Sequence, residues 1–214
     1  MKRILILRAC EISNKEKEVI GETKECNNIK IQSELYGFKV DDHCVTTNQE
    51  LEDILSPKNE DEVSDNEKYD YIYLSSHGGD SGFANKSDGS GNLNYSWSDF
   101  GALLCSSQCM KDDCIVMLSC CRGGLNQVAY TLFYCCEKIS YIVGPKQSLC
   151  ASSMLISFNI LLYNLEHRGI DPIVACEKIK LATDIRFICF DRLETEAQID
   201  YLHFVGNVLF KNDM

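Results

Sequence analysis

The chain has 214 residues, 45% of them hydrophobic and only 3 of them proline, enough apolar material for one substantial core and for a single domain over 1–214. A net charge of -11 and a pI near 4.8 speak against nucleic acid or an anionic membrane as partner, because both require a basic surface. Thirteen cysteines would suit a disulfide-rich secreted protein. However, M-K-R-I-L-I-L-R-A-C holds too short an apolar run for a signal peptide, and Met154 to Leu165 is too short and too interrupted to span a bilayer. A reduced, cytoplasmic chain is expected.

In chain order, strand and helix signals alternate. Ile4 to Leu7 reads as a buried first strand. Asn14 to Leu35 is charged and irregular but carries Ile31 and Leu35 one turn apart, which predicts a helix that Gly37 ends. Phe38 to Val45 predicts a second strand. Thr47 to Leu55 predicts a short helix with Thr47 as N-cap and Glu50 in the capping-box position. Ser56 to Lys68 is almost wholly polar and reads as a solvated loop. Tyr69 to Leu74, Y-D-Y-I-Y-L, is β-rich and runs into Ser75, Ser76, His77, Gly78 and Gly79. The Gly, Asn and Ser-rich stretch from Asp80 to Asn94 reads as a long loop.

Trp97 to Cys105 predicts a helix capped by Ser96 or Ser98. Ile115 to Leu118 is apolar on both faces, the pattern of a strand in the middle of a parallel sheet, and it stops in Cys120, Cys121, Arg122, Gly123 and Gly124. A helix over Asn126 to Cys136, a strand over Ile139 to Val143 and a buried helix over Met154 to Glu166 follow. Asp171 and Pro172 mark a helix start, with Ala175, Ile179 and Ala182 on one face. His203 to Phe210 supplies a last strand. Strands joined by helices predict an α/β three-layer sandwich with a mainly parallel sheet of about six strands.

In such a sheet the carboxyl ends of central strands carry the chemistry, and here two of them end in a histidine and a cysteine, each followed closely by glycine. A thiol near its ordinary pKa of about 8.5 is only a few per cent thiolate, and an adjacent imidazole can raise that fraction or take the proton. A backbone N–H beside the thiol can hold a developing oxyanion. Cys105, Cys109 and Cys114, in C-x3-C-x4-C, are too loosely spaced for a zinc site and lack a fourth ligand. Cys135 and Cys136 read as core. Gly89 and Gly91 follow no strand and form no phosphate loop. Asp80 and Asp88 read as loop acids that meet water.

These residues resemble the caspase-like cysteine peptidases, the group of caspases, metacaspases, separases and bacterial CHAT proteases. S-C-C-R-G at Ser119 to Gly123 is similar to the caspase signature Q-A-C-[RQG]-G at its cysteine, arginine and glycine, and a histidine is expected about 50 residues upstream. L-S-S-H-G at Leu74 to Gly78 is similar to the histidine motif of the group. L-Y-G-F-K-V at Leu35 to Val40 and Y-I-V-G at Tyr141 to Gly144 fall in its order.

The resemblance implies a cysteine endopeptidase acting on a protein substrate through a thioester, with Cys121 as nucleophile and His77 as general base or acid. Gly78 and Cys121 N–H groups would form the oxyanion hole, and no metal or cofactor would be needed. The first strand lacks the R-G arrangement that caspases direct at aspartate, and G-P-K-Q-S-L-C-A lacks the acid with which the CHAT branch reads a basic P1 residue, so the P1 preference stays open. Leu125 to Lys138 reads as an apolar helix, so maturation by a cut there is not expected. A gate outside the chain is expected, namely a separate activator or sensor, by analogy in a bacterial defence system. The alternative is a catalytically idle caspase-like module used for interaction. Strand alternation separates the two adjacent thiols: Cys120 should be a packed, inert neighbour of Cys121.

Overall fold

A computed structural model describes residues 1–9, 20–56 and 64–198. The chain enters at β1 (Arg3–Ala9), passes through α1 (Ile20–Leu35), β2 (Lys39–Val45) and α2 (Asn48–Leu55), and reaches β3 (Tyr69–Ser75). Three short strands follow: β4 (His77–Gly78), β5 (Gly82–Ala84) and β6 (Asn94–Ser96). Then come α3 (Trp97–Ser107), β7 (Met110–Ser119), α4 (Asn126–Cys135), β8 (Ile139–Pro145), α5 (Ala151–Leu162), α6 (Pro172–Thr183) and β9 (Phe187–Asp191). The main sheet has the order β2-β1-β3-β7-β8-β9, parallel except for β9. The expected sandwich with a mainly parallel six-stranded sheet is therefore the observed one.

Alternation along the strands sorts the core into two layers. Leu5, Leu7, Ile72, Leu74, Val116, Leu118 and Cys120 face α2, α3 and α4, meeting Leu51, Trp97, Phe100, Val128 and Leu132. Ile4, Ile6, Tyr71, Tyr73, Met117 and Val143 face α1, α5 and α6, meeting Cys26, Ile29, Phe158, Leu161, Ala175 and Ile179. Helix starts follow local chemistry. Thr47 accepts from the Glu50 N–H, Ser96 from the Asp99 N–H, and Asp171 from the Ile173 N–H.

Several elements differ from their sequence signals. The stretch read as a long loop is folded into a second sheet, β4-β5-β6, because Phe83 is buried against Trp97 and Phe100 at ring distances of 5.4 and 5.1 Å. Strand β7 starts at Met110, ahead of the apolar run, with register shifts on both flanks where Asp112 and Asp113 interrupt the pattern. The sixth strand is Phe187–Asp191, while His203 to Phe210 lies outside the described residues. The buried helix begins at Ala151 and ends in a π-turn over Tyr163–His167. Ala182 is exposed, and Cys176 takes the buried place beside Ala175 and Ile179. The Glu50 carboxylate accepts from the N–H and hydroxyl of Thr46, both at 2.7 Å, and not from the cap residue itself. Cys44 is disulfide-bonded, so the expectation of a fully reduced chain fails there; it sits exposed on an edge strand, where another thiol can reach it.

The turn after β7 is locked against the end of β8 by backbone alone. The Gly124 N–H donates to the Pro145 carbonyl at 2.9 Å. A Cβ on Gly144 would lie 2.7 Å from the Gly123 carbonyl carbon and 2.8 Å from the Gly124 nitrogen, closer than backbone can yield. Gly144→Ala is therefore expected to lower stability by about 1–3 kcal/mol through overpacking. Gly79→Ala, whose Cβ would meet nothing nearer than 3.9 Å, should change it by less than about 0.5 kcal/mol. Urea midpoints measured on both variants check this, and equal midpoints would contradict it.

Candidate active site

Strands β3 and β7 pair in parallel with Ser75 opposite Ser119, and the Ser76 N–H extends the ladder by donating to the Ser119 carbonyl at 3.2 Å. His77 lies two residues past Ser75 and Cys121 two past Ser119, so both continue the strand faces that look toward α1 and α5. Both line one small cavity of about 180 Å³ beyond the sheet edge, the space of about six water molecules. Glu25 from α1, Ser119, and Cys150 and Met154 at the start of α5 complete its wall.

Cys120 points the other way. It is buried in the layer facing α3 and α4, and burial first, then the neighbouring Cys121, push its thiol well above the ordinary range. Gly78 packs directly on it. A Cβ at Gly78 would fall 2.6 Å from the Cys121 carbonyl oxygen and 2.8 Å from the Cys120 Cβ, so only glycine lets β4 lie this close to the cysteine turn. The Gly79 N–H donates to the Gly82 carbonyl at 2.9 Å. Hydrogen-bonded and non-bonded pairs alternate in antiparallel ladders, so the Gly78 N–H is directed away from β5. Among the described residues the Cys121 N–H meets no backbone acceptor.

The turn itself is strained. Arg122 has a φ of 63°, in the left-handed region, and the Gly123 N–H closes the turn onto the Cys120 carbonyl at 3.2 Å. A non-glycine residue there costs about 1–2 kcal/mol, and such outliers concentrate at functional sites. Arg122 pairs with Asp80 at 2.9 Å, both more than half exposed, so Asp80 faces a guanidinium and not solvent alone. Asp88 accepts from the Ser90 N–H and hydroxyl. A shallower trough of about 380 Å³ adjoins His77 and Gly78, walled by β5, β6 and the turn at 86–89.

Two residues of the site belong to no motif read from the sequence. Glu25 is buried, and one of its carboxylate oxygens accepts from both the Tyr73 and Ser119 hydroxyls. Burial and that carboxylate push the Tyr73 phenol well above its ordinary range. Cys150 is exposed at the N-cap of α5; the run C-A-S-S at Cys150 to Ser153 was the available hint. Cys105 lies on α3, Cys109 beyond it and Cys114 in β7. Among the described residues no group of three or more His, Cys, Asp or Glu is arranged to hold a metal ion, and no helix is long and apolar enough to cross a membrane.

No protein-family model matches the chain, and no curated protein matches it. Solved structures do. An inactive zymogen C11 protease from Parabacteroides distasonis superposes with a TM-score of 0.59 at 13% identity, over 92% of this chain and 63% of its own. The fold is that of the C11 cysteine proteases. A secreted C11 cysteine protease from Bacteroides thetaiotaomicron, in complex with an irreversible peptide inhibitor, gives 0.59 at 10% identity, over 92% of this chain and 68% of its own. The same figures for TM-score and identity hold for the Bacteroides thetaiotaomicron protease "iotapain", of which 67% is covered. The chain thus spans less than two thirds of the Parabacteroides protease.

The opposite facing of the paired cysteines has a direct chemical readout. Native protein treated with iodoacetamide should be alkylated at Cys121 and Cys150 and spared at Cys120. Cys120→Ala should lower stability by about 1 kcal/mol through the small cavity it leaves. Peptide mapping that found Cys120 alkylated before unfolding would overturn the assignment of faces.

Proposed function

We propose that the chain is a cysteine endopeptidase in which Cys121 is the nucleophile and His77 the general base and acid. The observation that carries this reading is that the in-register ends of β3 and β7 bring imidazole and thiol to the wall of one cavity. The Cys121 sulfur attacks the scissile carbonyl as its proton passes to His77. The oxygen of the tetrahedral intermediate takes the Gly78 and Cys121 N–H groups, which point to no partner within the small sheet or the turn. His77 then returns the proton to the departing amine, and the thioester is hydrolysed by water through the same base. His77 also lines the trough beside β5 and β6, which suits it to meet the leaving-group side of the substrate. An idle interaction module would have no use for this combination, nor for a strained turn beside the thiol.

Because an unguarded endopeptidase harms its own cell, control by a separate activator or sensor belongs to the proposal, with a bacterial defence system as the setting its analogy offers. Cys121→Ala and His77→Ala should each abolish peptide hydrolysis, and Cys121→Ala should also abolish covalent labelling by a peptidyl electrophile, with thermal unfolding retained. A Cys121→Ala protein that still hydrolysed peptide would sink the reading.

Among the described residues the cavity wall offers one acid to a P1 side chain, Glu25, held in place by Tyr73 and Ser119. We infer a preference for a cationic P1 residue. Glu25→Gln keeps the oxygen that accepts from both hydroxyls and removes the charge. It is expected to lower kcat/KM for arginine or lysine at P1 by at least about tenfold relative to a neutral P1 residue, a change of about 1.4 kcal/mol. Parallel assays on a peptide series differing only at P1 test this, and an unchanged ratio would refute it.

A further inference from the structure

A second thiol shares the cavity of the proposed nucleophile. Among the described free cysteines only Cys105 and Cys150 are exposed, and of these two Cys150 alone lines the wall together with His77 and Cys121. Its sulfur lies 3.1 Å from the Ser152 hydroxyl and 3.3 Å from that of Ser153. Those hydroxyls, with the Ser153 N–H at the start of α5, lower its pKa to about 7, so a large share is thiolate at neutral pH. The segment carrying it, 146–150, belongs to no strand or helix. It is tied to the cysteine turn by the Arg122 N–H on the Gln147 carbonyl at 3.4 Å. Two sulfurs thus line one space, one on the turn after β7 and the other on the segment that connects β8 to α5.

We propose that Cys150 is a resolving thiol for Cys121, so that peroxide reversibly switches the site off through a Cys121–Cys150 disulfide. This rests on the reading of Cys121 as the nucleophile. The Cys121 thiolate attacks the O–O bond of a peroxide, becomes a sulfenic acid and releases the other oxygen as an alcohol or water. The Cys150 thiolate attacks that sulfur, forms the S–S bond and expels hydroxide, which leaves as water on taking a proton. Two electrons pass from the two thiols to the peroxide, and a dithiol reductant returns them. The bond needs the two Cα atoms within about 4.4–6.8 Å, an approach that closes the cavity and expels substrate. Without Cys150 the sulfenic acid is left to climb to sulfinic and sulfonic acids, which thiols do not reverse. Buried Cys120, on the far face, cannot substitute.

The test uses the full chain treated with hydrogen peroxide, followed or not by dithiothreitol, with peptide mapping by mass spectrometry alongside peptide hydrolysis. Wild type is expected to yield a cross-linked pair of peptides containing Cys121 and Cys150, and to regain most of its lost activity in dithiothreitol. Cys150→Ser should yield no such pair and should accumulate over-oxidised Cys121. The fraction of its own starting activity that dithiothreitol recovers should be about tenfold smaller. Absence of the cross-linked pair from oxidised wild type, or equal recovery in Cys150→Ser, would overturn the proposal. The cross-link is read without turnover, so a chain that formed it but hydrolysed no peptide would count against the peptidase reading alone.

Discussion

The site depends on one constraint, the pairing of Ser75 with Ser119 in the parallel ladder between β3 and β7. Side chains alternate across a strand with a period of two, so a slip of one residue would turn one partner to the opposite face. Apolar packing on both sides of the sheet prevents that slip. Ile72, Leu74, Val116 and Leu118 are buried in one layer, Tyr71, Tyr73 and Met117 in the other. Moving any of them by one place would put a hydrophobic side chain against the wrong helices. The position of His77 relative to Cys121 is thus set by residues that take no part in chemistry.

The two faces divide the work. The layer of α3 and α4 buries Cys120, and Gly78 and Gly123 press against that sulfur, with a Cβ on either falling within 3.0 Å of it. That layer gives rigidity, and its thiol is held protonated. The layer of α1 and α5 brings Glu25 and Cys150 to the cavity beside His77 and Cys121. The opposite end of the sheet carries ion pairs, Lys2 with Glu166 at 2.8 Å and Lys111 with Asp70 at 2.9 Å.

The sheet was legible because buried strands announce themselves as apolar runs, and its polarity was legible because His77 and Cys121 both close such runs. The small sheet was not, since Gly82–Ala84 and Asn94–Ser96 are too short to show alternation, and the apolar residues that anchor them, Phe83 and Leu93, are scattered among glycines and asparagines. The start of β7 was hidden because Lys111, Asp112 and Asp113 look like loop. The last strand was missed for a different reason. Phe187–Asp191 pairs antiparallel to β8 at the sheet edge, where half-buried residues blur the pattern.

Within the site, motif residues were readable and wall residues were not. His77, Gly78 and Cys121 come from strand ends, where a local pattern of apolar run and glycine marks the position. Glu25 on α1 and Cys150 just before α5 reach the cavity from segments distant in sequence, and their place in its wall follows from tertiary packing alone. Glu25 in E-C-N-N looks like any solvated helix acid until Tyr73 and Ser119 are seen to donate to it. This difference has a physical consequence for how such a site changes over time. Residues fixed by strand register cannot be exchanged without losing the geometry, whereas wall residues supplied by α1 and the start of α5 can be exchanged without shifting the register of the sheet.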